Sequence, residues 1–191
     1  MSTQEWQGFR IMRLSVGVGD DALKRGNLPS VFCDWSANPH DYKARSLLVF
    51  FRFCQKLMGN LESPRRLSYP IVFLYRIYSE WILKIELRPK TSVGSALSIY
   101  HGFGIVVNNQ SIIGNNVKLR HGVTIGHKVP GGGCPVIGDN VEFGAHAVVV
   151  GGCTVGANSK IGAGVVLGVS VPDYTSVLPP SPRISSRLKA K

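Results

Sequence analysis

The sequence predicts a mainly β fold, a parallel β-helix wound from six-residue repeats, preceded by an α-helical region. Three observations predict it. A bulky apolar residue recurs every six positions, at Ile113, Leu119, Ile125, Ile137, Phe143, Val149, Val155, Ile161 and Leu167. Glycine often follows it, at Gly114, Gly126, Gly138, Gly144, Gly156, Gly162 and Gly168. A small or β-branched residue often sits four places after the beat, as at Val117, Val123, Val141, Ala147, Cys153, Ser159 and Val165. The one missing beat, Gly131, lies in a glycine-rich insert that keeps the phase. Neither the helical period of about 3.6 nor strand alternation produces such a pattern. A short strand, a tight turn and another short strand does. One coil cannot bury its own apolar side, so successive coils stack into a continuous core. A Gly- and Val-rich sandwich would alternate without holding so long a phase.

The bulk properties narrow the partners. The chain has 191 residues, is 44% hydrophobic and carries a net charge of +11. That suits one main globular domain. The charge is uneven: Lys43 to Lys90 holds ten Lys/Arg against Glu62, Glu80 and Glu86, and Arg183 to Lys191 holds four with no acid. Such charge suits an anionic membrane face or a phosphorylated ligand. No nucleic-acid-binding signature accompanies it, so no nucleic-acid partner is expected. Cys33, Cys54, Cys134 and Cys153 show neither metal-site spacing nor a disulfide framework, and imply a reducing compartment. The first residues lack the charged-then-apolar pattern of a signal peptide, and no long apolar run follows. A cytoplasmic location is the expectation, with a peripheral position at the inner membrane face as a further option.

In chain order, residues 1–40 read as an irregular lead-in, broken by Gly17, Gly19, Gly26, Pro29 and Pro39. Asp34-Trp35 with Asn38 looks more ordered. Residues 41–90 form a basic, aromatic helical region. Asp41 can cap a helix to Met58, with Leu47, Leu48, Phe50, Phe51 and Cys54 on its apolar face. Pro70 starts a second helix to about Lys84, carrying Ile71, Phe73, Leu74, Ile77, Trp81 and Ile82. These helices suit capping of the open β-helix end, and a basic-aromatic face also suits a bilayer. Residues 91–172 form the β-helix. Its phase slips by two between Ile105 and Ile113, just beyond His101, Gly102 and Gly104. A break in a regular repeat is where a site is expected. Residues 173–191 are an extended, proline-rich segment and a basic tail.

His101, set among glycines, is a residue type suited to taking a proton from an alcohol. The repeat resembles the bacterial hexapeptide-repeat acyltransferases, whose fold is a left-handed parallel β-helix. Tyr100 to Asn108 and Leu119 to Gly126 resemble the serine acetyltransferase group, most of all its polysaccharide (colanic acid biosynthesis-type) O-acetyltransferases. The resemblance covers about residues 35–184. It implies that His101 is the general base and that Glu86, fifteen residues earlier, pairs with it where the family has aspartate. It also implies acetyl-CoA as co-substrate, with no permanently bound cofactor and no metal. Acetyl-CoA would lie along Gly126, Ala145, Lys160, Ala163 and Arg183, in a homotrimer.

Two departures bear on the acceptor. The family's Arg-His pair is missing from Gly131-Gly132-Gly133-Cys134-Pro135, and its aspartate before the base is Tyr100. A serine site needs a cation for the carboxylate and an acid for the ammonium. The expected acceptor is therefore a sugar hydroxyl in exopolysaccharide, capsule or lipopolysaccharide assembly, met by Tyr100, His121 and His127. Serine O-acetylation is the alternative. A zinc-dependent, carbonic anhydrase-like lyase built on His121, His127 and His146 is a weaker one. Cys134 has no histidine visibly paired with it in the sequence and is expected to be an ordinary loop thiol.

Overall fold

The structure, a computed structural model, describes residues 28–59, 61 and 65–181. Helix α1 (Tyr42–Met58) starts as expected: the Asp41 side chain accepts from Ala44 N–H at 2.8 Å. Ala44, Leu47, Leu48, Phe51 and Cys54 are buried, and Gly59 ends the helix with φ 70°. A 3₁₀ turn (Arg66–Ser68) leads into α2 (Tyr69–Arg76), with Pro70 in its first turn, where the missing N–H costs nothing. The helix continues as a π-helical segment, Ile77–Ile82. Inward-facing Tyr75 stacks edge-on with Phe50 at 5.4 Å and donates its hydroxyl to the Leu87 carbonyl at 2.7 Å.

The rest of the described chain is a parallel β-solenoid. Strands β1 (Ile85–Leu87), β4 (Ile105–Val107), β7 (Thr124–Gly126), β10 (Val148–Val150) and β13 (Val166–Leu167) stack as a first face. Strands β2 (Ser92–Val93), β5 (Ile112–Ile113), β8 (Val136–Ile137) and β11 (Thr154–Val155) form a second. Strands β3 (Ser98–Tyr100), β6 (Lys118–Arg120), β9 (Glu142–Phe143), β12 (Lys160–Ile161) and β14 (Ser176–Val177) form a third. Every expected beat from Ile113 to Leu167, other than Gly131, is buried in the axial core. This is the architecture of a left-handed β-helix built on hexapeptide repeats.

The registers correct the position of the phase slip. Leu87 pairs with Val107, and Val107 with Ile125, so Val107 occupies the layer that the six-residue count had given to Ile105. The two extra residues therefore lie before Ile105, in the corner between β3 and β4, and not after it. They could not be placed from the sequence because Ile105 and Val107 are both apolar and both buried.

The first coil has an open edge, and part of the expected irregular lead-in closes it. Asp34 Oδ1 accepts from Leu97 N–H at 2.9 Å, and Asn38 Oδ1 accepts from Ile99 N–H at 2.9 Å. From α1, Arg52 donates to the Val93 carbonyl at 2.8 Å, and Gln55 to the Thr91 carbonyl at 3.0 Å. Side chains thus supply partners that another coil would otherwise provide. Residues 1–27 and the basic tail beyond Ser181 lie outside the described residues. The four cysteines are free thiols.

Candidate active site

The enlarged corner between β3 and β4 carries His101. Its backbone takes a left-handed conformation, φ 53°, which a side chain adopts only at a cost. The adjacent corner is fixed from three sides. Lys43 Nζ on α1 donates to the Gly102 carbonyl. Gly104 N–H donates to the Lys84 carbonyl, and Gly122 N–H to the Phe103 carbonyl, each at 2.8 Å. Gly102 must lack a side chain, because a Cβ there would lie 2.7 Å from Ile99 Cγ2 and 2.9 Å from Ile85 Cδ1. The imidazole projects from this rigid corner into solvent. The same left-handed conformation recurs at other corners of the solenoid, among them Asn116, Asn140, His146 and Asn158, so it belongs to the coil and is not peculiar to His101.

Glu86, on β1, is on the outside of the first face in register with Val106. Its Oε1 lies 3.0 Å from Arg88 Nη2. Among the described residues no hydrogen bond or ion pair joins it to His101. Tyr100 is partly exposed beside His101, and the Arg120 guanidinium lies 5.8 Å from its ring centroid. Tyr100 and Arg120 are register partners, so a cation sits beside Tyr100 one coil up.

The histidines separate into two places. His121 and His146 meet edge-on at the corner between the third and first faces, with ring centroids 5.0 Å apart. His127 is at the next corner, after β7, so the three do not converge on one point within the chain. Among the described residues no group of three or more His, Cys, Asp or Glu side chains could hold a metal ion.

His127 instead pairs with Cys134, correcting the expectation of an unpaired thiol: its Nδ1 is 3.3 Å from Cys134 Sγ, which is 3.4 Å from Asn108 Oδ1. The two residues flank the glycine-rich insert, and the loop closes on itself to bring them together. Burial pushes the Cys134 thiol's pKa up, so it is held in its protonated form near neutral pH.

The expected donor-binding residues flank the first face. Gly126 ends β7 at one edge, while Ala145 and Ala163 are at the opposite corner, one coil apart. Lys160 is on the third face, its Nζ 3.6 Å from Glu142 Oε2, and Lys118 Nζ is 2.6 Å from Glu142 Oε1. Lys118 holds the Glu142 carboxyl below the usual carboxylate range. Arg183 lies outside the described residues. A groove of about 480 Å³ runs under the glycine-rich loop at the Gly126 edge, lined by Lys128, Gly133, Gly151, Gly152 and Gly168. Its glycine walls suit a thin, extended ligand, and Lys128 suits an anion.

Lys43, Arg120 and Asn108 belong to these sites without having been expected there. A lysine on a remote helix shows no sequence sign that it reaches Gly102. Arg120 was legible only once β3 was known to stack on β6.

The family described as bacterial transferase hexapeptide (six repeats) matches residues 134–168. The chain is 37% identical over 116 residues to the putative colanic acid biosynthesis acetyltransferase WcaB of Escherichia coli K12, covering 60% of this chain and 72% of that one. It is 38% identical over 119 residues to the serine acetyltransferase of Staphylococcus xylosus, covering 61% of this chain and 55% of the relative. Among solved structures, the serine acetyltransferase of Neisseria gonorrhoeae superposes with a TM-score of 0.64 at 28% identity, over 84% of this chain and 66% of its own. The chain thus spans only about half to two thirds of the length of these serine acetyltransferases.

Proposed function

The chain belongs to the bacterial hexapeptide-repeat acetyltransferases, and from that membership we propose that it moves the acetyl group of acetyl-CoA onto a sugar hydroxyl. The observation that carries the reading is the His101 corner. Two residues inserted into an otherwise regular coil present one imidazole, held on a rigid frame and open to solvent.

In this reading His101 takes the proton of the acceptor hydroxyl as its oxygen attacks the thioester carbonyl. The C–O bond forms, a tetrahedral oxyanion follows, and the C–S bond breaks. The imidazolium returns the proton to the departing CoA thiolate, so no covalent enzyme intermediate is needed. Backbone N–H groups of the corner supply candidate donors to the oxyanion. Glu86 is the carboxylate proposed to steady the imidazolium, and it must leave Arg88 to do so. Gly126, Ala145, Lys160, Ala163 and Arg183 are proposed to hold acetyl-CoA. Val106, Val148 and Val166 share register on the outside of the first face, and in the proposed homotrimer a second copy covers them.

Two observations support a sugar over free serine. The stretch Gly131-Gly132-Gly133-Cys134-Pro135 carries no cation for a carboxylate, and its Cys134 turns inward to His127, while the loop's Lys128 lines the groove instead. Tyr100 offers an exposed ring beside the base, as a pyranose face requires. A polysaccharide acceptor places the protein in exopolysaccharide, capsule or lipopolysaccharide assembly, on the cytoplasmic side where acetyl-CoA is made.

The test is thiol release from acetyl-CoA with free serine and a panel of oligosaccharides, in wild type and His101→Ala. Sugar-dependent release lost in the variant is the expected result. Serine-dependent release of equal efficiency would overturn the acceptor and keep the chemistry.

A further inference from the structure

We propose that the outward side of α2 and its π-helical continuation rests on an anionic membrane surface. Tyr69, Phe73, Ile77 and Trp81 recur at four-residue spacing on the side away from buried Tyr75 and Ser79. They are 56%, 63%, 38% and 73% exposed, and Leu74 and Ile82 beside them are 55% and 65% exposed. A helix already packed on its core by one side ordinarily turns a polar side to water. This one turns aromatic and aliphatic groups of the kind that settle at the level of lipid headgroups.

The charges around the stripe select the partner. Arg65, Arg66 and Lys84 are exposed at its two ends, and among the described residues no carboxylate pairs with them. Glu80 is held by Arg76 at 3.1 Å, and Glu86 by Arg88 at 3.0 Å, so neither acid offsets those cations. A positive rim around an apolar stripe matches anionic headgroups over acyl chains. Two-fold docking of a second copy on the same stripe would instead bring like charges together. Among the described residues no helix is long and apolar enough to cross a membrane, so the segment lies on the surface.

The position is also apt. Lys84, at the end of the stripe, accepts from Gly104 of the His101 corner at 2.8 Å. A lipid-linked acceptor would reach the base at the membrane face, although the docking itself does not depend on which acceptor is used.

Flotation with phosphatidylcholine–phosphatidylglycerol vesicles, and with phosphatidylcholine alone, tests this without any substrate. Wild type should float with the anionic vesicles only and be released by salt. The double variants Phe73→Ser/Trp81→Ser and Arg66→Glu/Lys84→Glu should each weaken the partition by about tenfold or more, with circular dichroism unchanged. If the first variant fails to fold, the charge variant and the salt series decide alone. No binding to anionic vesicles, binding indifferent to both variants, or loss of an oligomer in Phe73→Ser/Trp81→Ser with vesicle binding retained would overturn the proposal. The last result would assign the stripe to a second copy.

Discussion

Arg52 Nε lies 2.8 Å from Asp34 Oδ2, and both side chains are sealed from water. The pair joins α1 to the segment before it at the edge of the first coil. Neither residue serves the other alone: Asp34 also accepts from Leu97 N–H, and Arg52 also donates to the Val93 and Gly94 carbonyls.

Asp34→Ala should cost about 3–5 kcal/mol, because it leaves a buried guanidinium without its counter-charge. In many proteins an apolar pair can replace such a bridge. Here Arg52→Met/Asp34→Leu should remain destabilised, since backbone groups of the first coil lose their partners as well. Urea denaturation of the three proteins measures both effects.

A Cβ at Gly122 would lie 2.2 Å from His146 Nδ1, and Gly122 has φ +69°. Gly122→Ala should therefore destabilise through a clash and through backbone strain. Adding His146→Ala should recover the first part and leave a residual cost of about 1 kcal/mol for the left-handed backbone. Thermal melts of the single and double variants separate the two terms.

Burial pushes the Cys54 thiol from 9.0 up to about 12. It also raises the Tyr75 hydroxyl. The folded chain holds these protons more tightly than the unfolded chain does. The contribution of Cys54 is thus complete below pH 9.0 and is lost as pH climbs toward about 12, and that of Tyr75 is complete below pH 10.0 and is lost above it. Stability measured by denaturant should fall by up to about 1.4 kcal/mol per pH unit for each group over that range. Cys54→Val should remove one proton's share of the slope.

The Lys118–Glu142–Lys160 ladder lies on an exposed face, so it contributes little to stability. Lys160→Ala should shift the denaturation midpoint by less than about 1 kcal/mol in equivalent stability. If Lys160 meets a phosphate of acetyl-CoA, the same variant should raise KM for acetyl-CoA several-fold and leave kcat near wild type. Steady-state kinetics beside a denaturation curve reads both.

Glu86 is paired with Arg88. Glu86→Gln should lower kcat roughly tenfold or more and move the acidic limb of the pH profile, if the carboxylate stabilises the imidazolium of His101. Arg88→Ala frees the carboxylate and should leave kcat undiminished. Equal activity in wild type and Glu86→Gln would confine Glu86 to its surface ion pair.

The repeat, its faces and its core were legible in the sequence, because a solenoid writes its coil length directly into apolar periodicity. The α1 cap at Asp41 was legible because it depends on residues within a few positions, and so was the existence of a two-residue phase break, though not the corner that holds it. Relations across coils or across a loop required the tertiary structure. Val107 and Ile105 are equally apolar, and only stacking on Leu87 shows which keeps the layer. His127 and Cys134 meet because a glycine-rich loop closes between them. Lys43 reaches Gly102, and Asp34 with Asn38 closes the first coil, through the packing of segments remote in sequence. Periodicity specifies which side of the chain faces the axis. The fold alone decides which outward groups become neighbours, since that depends on the packing of coils and corners.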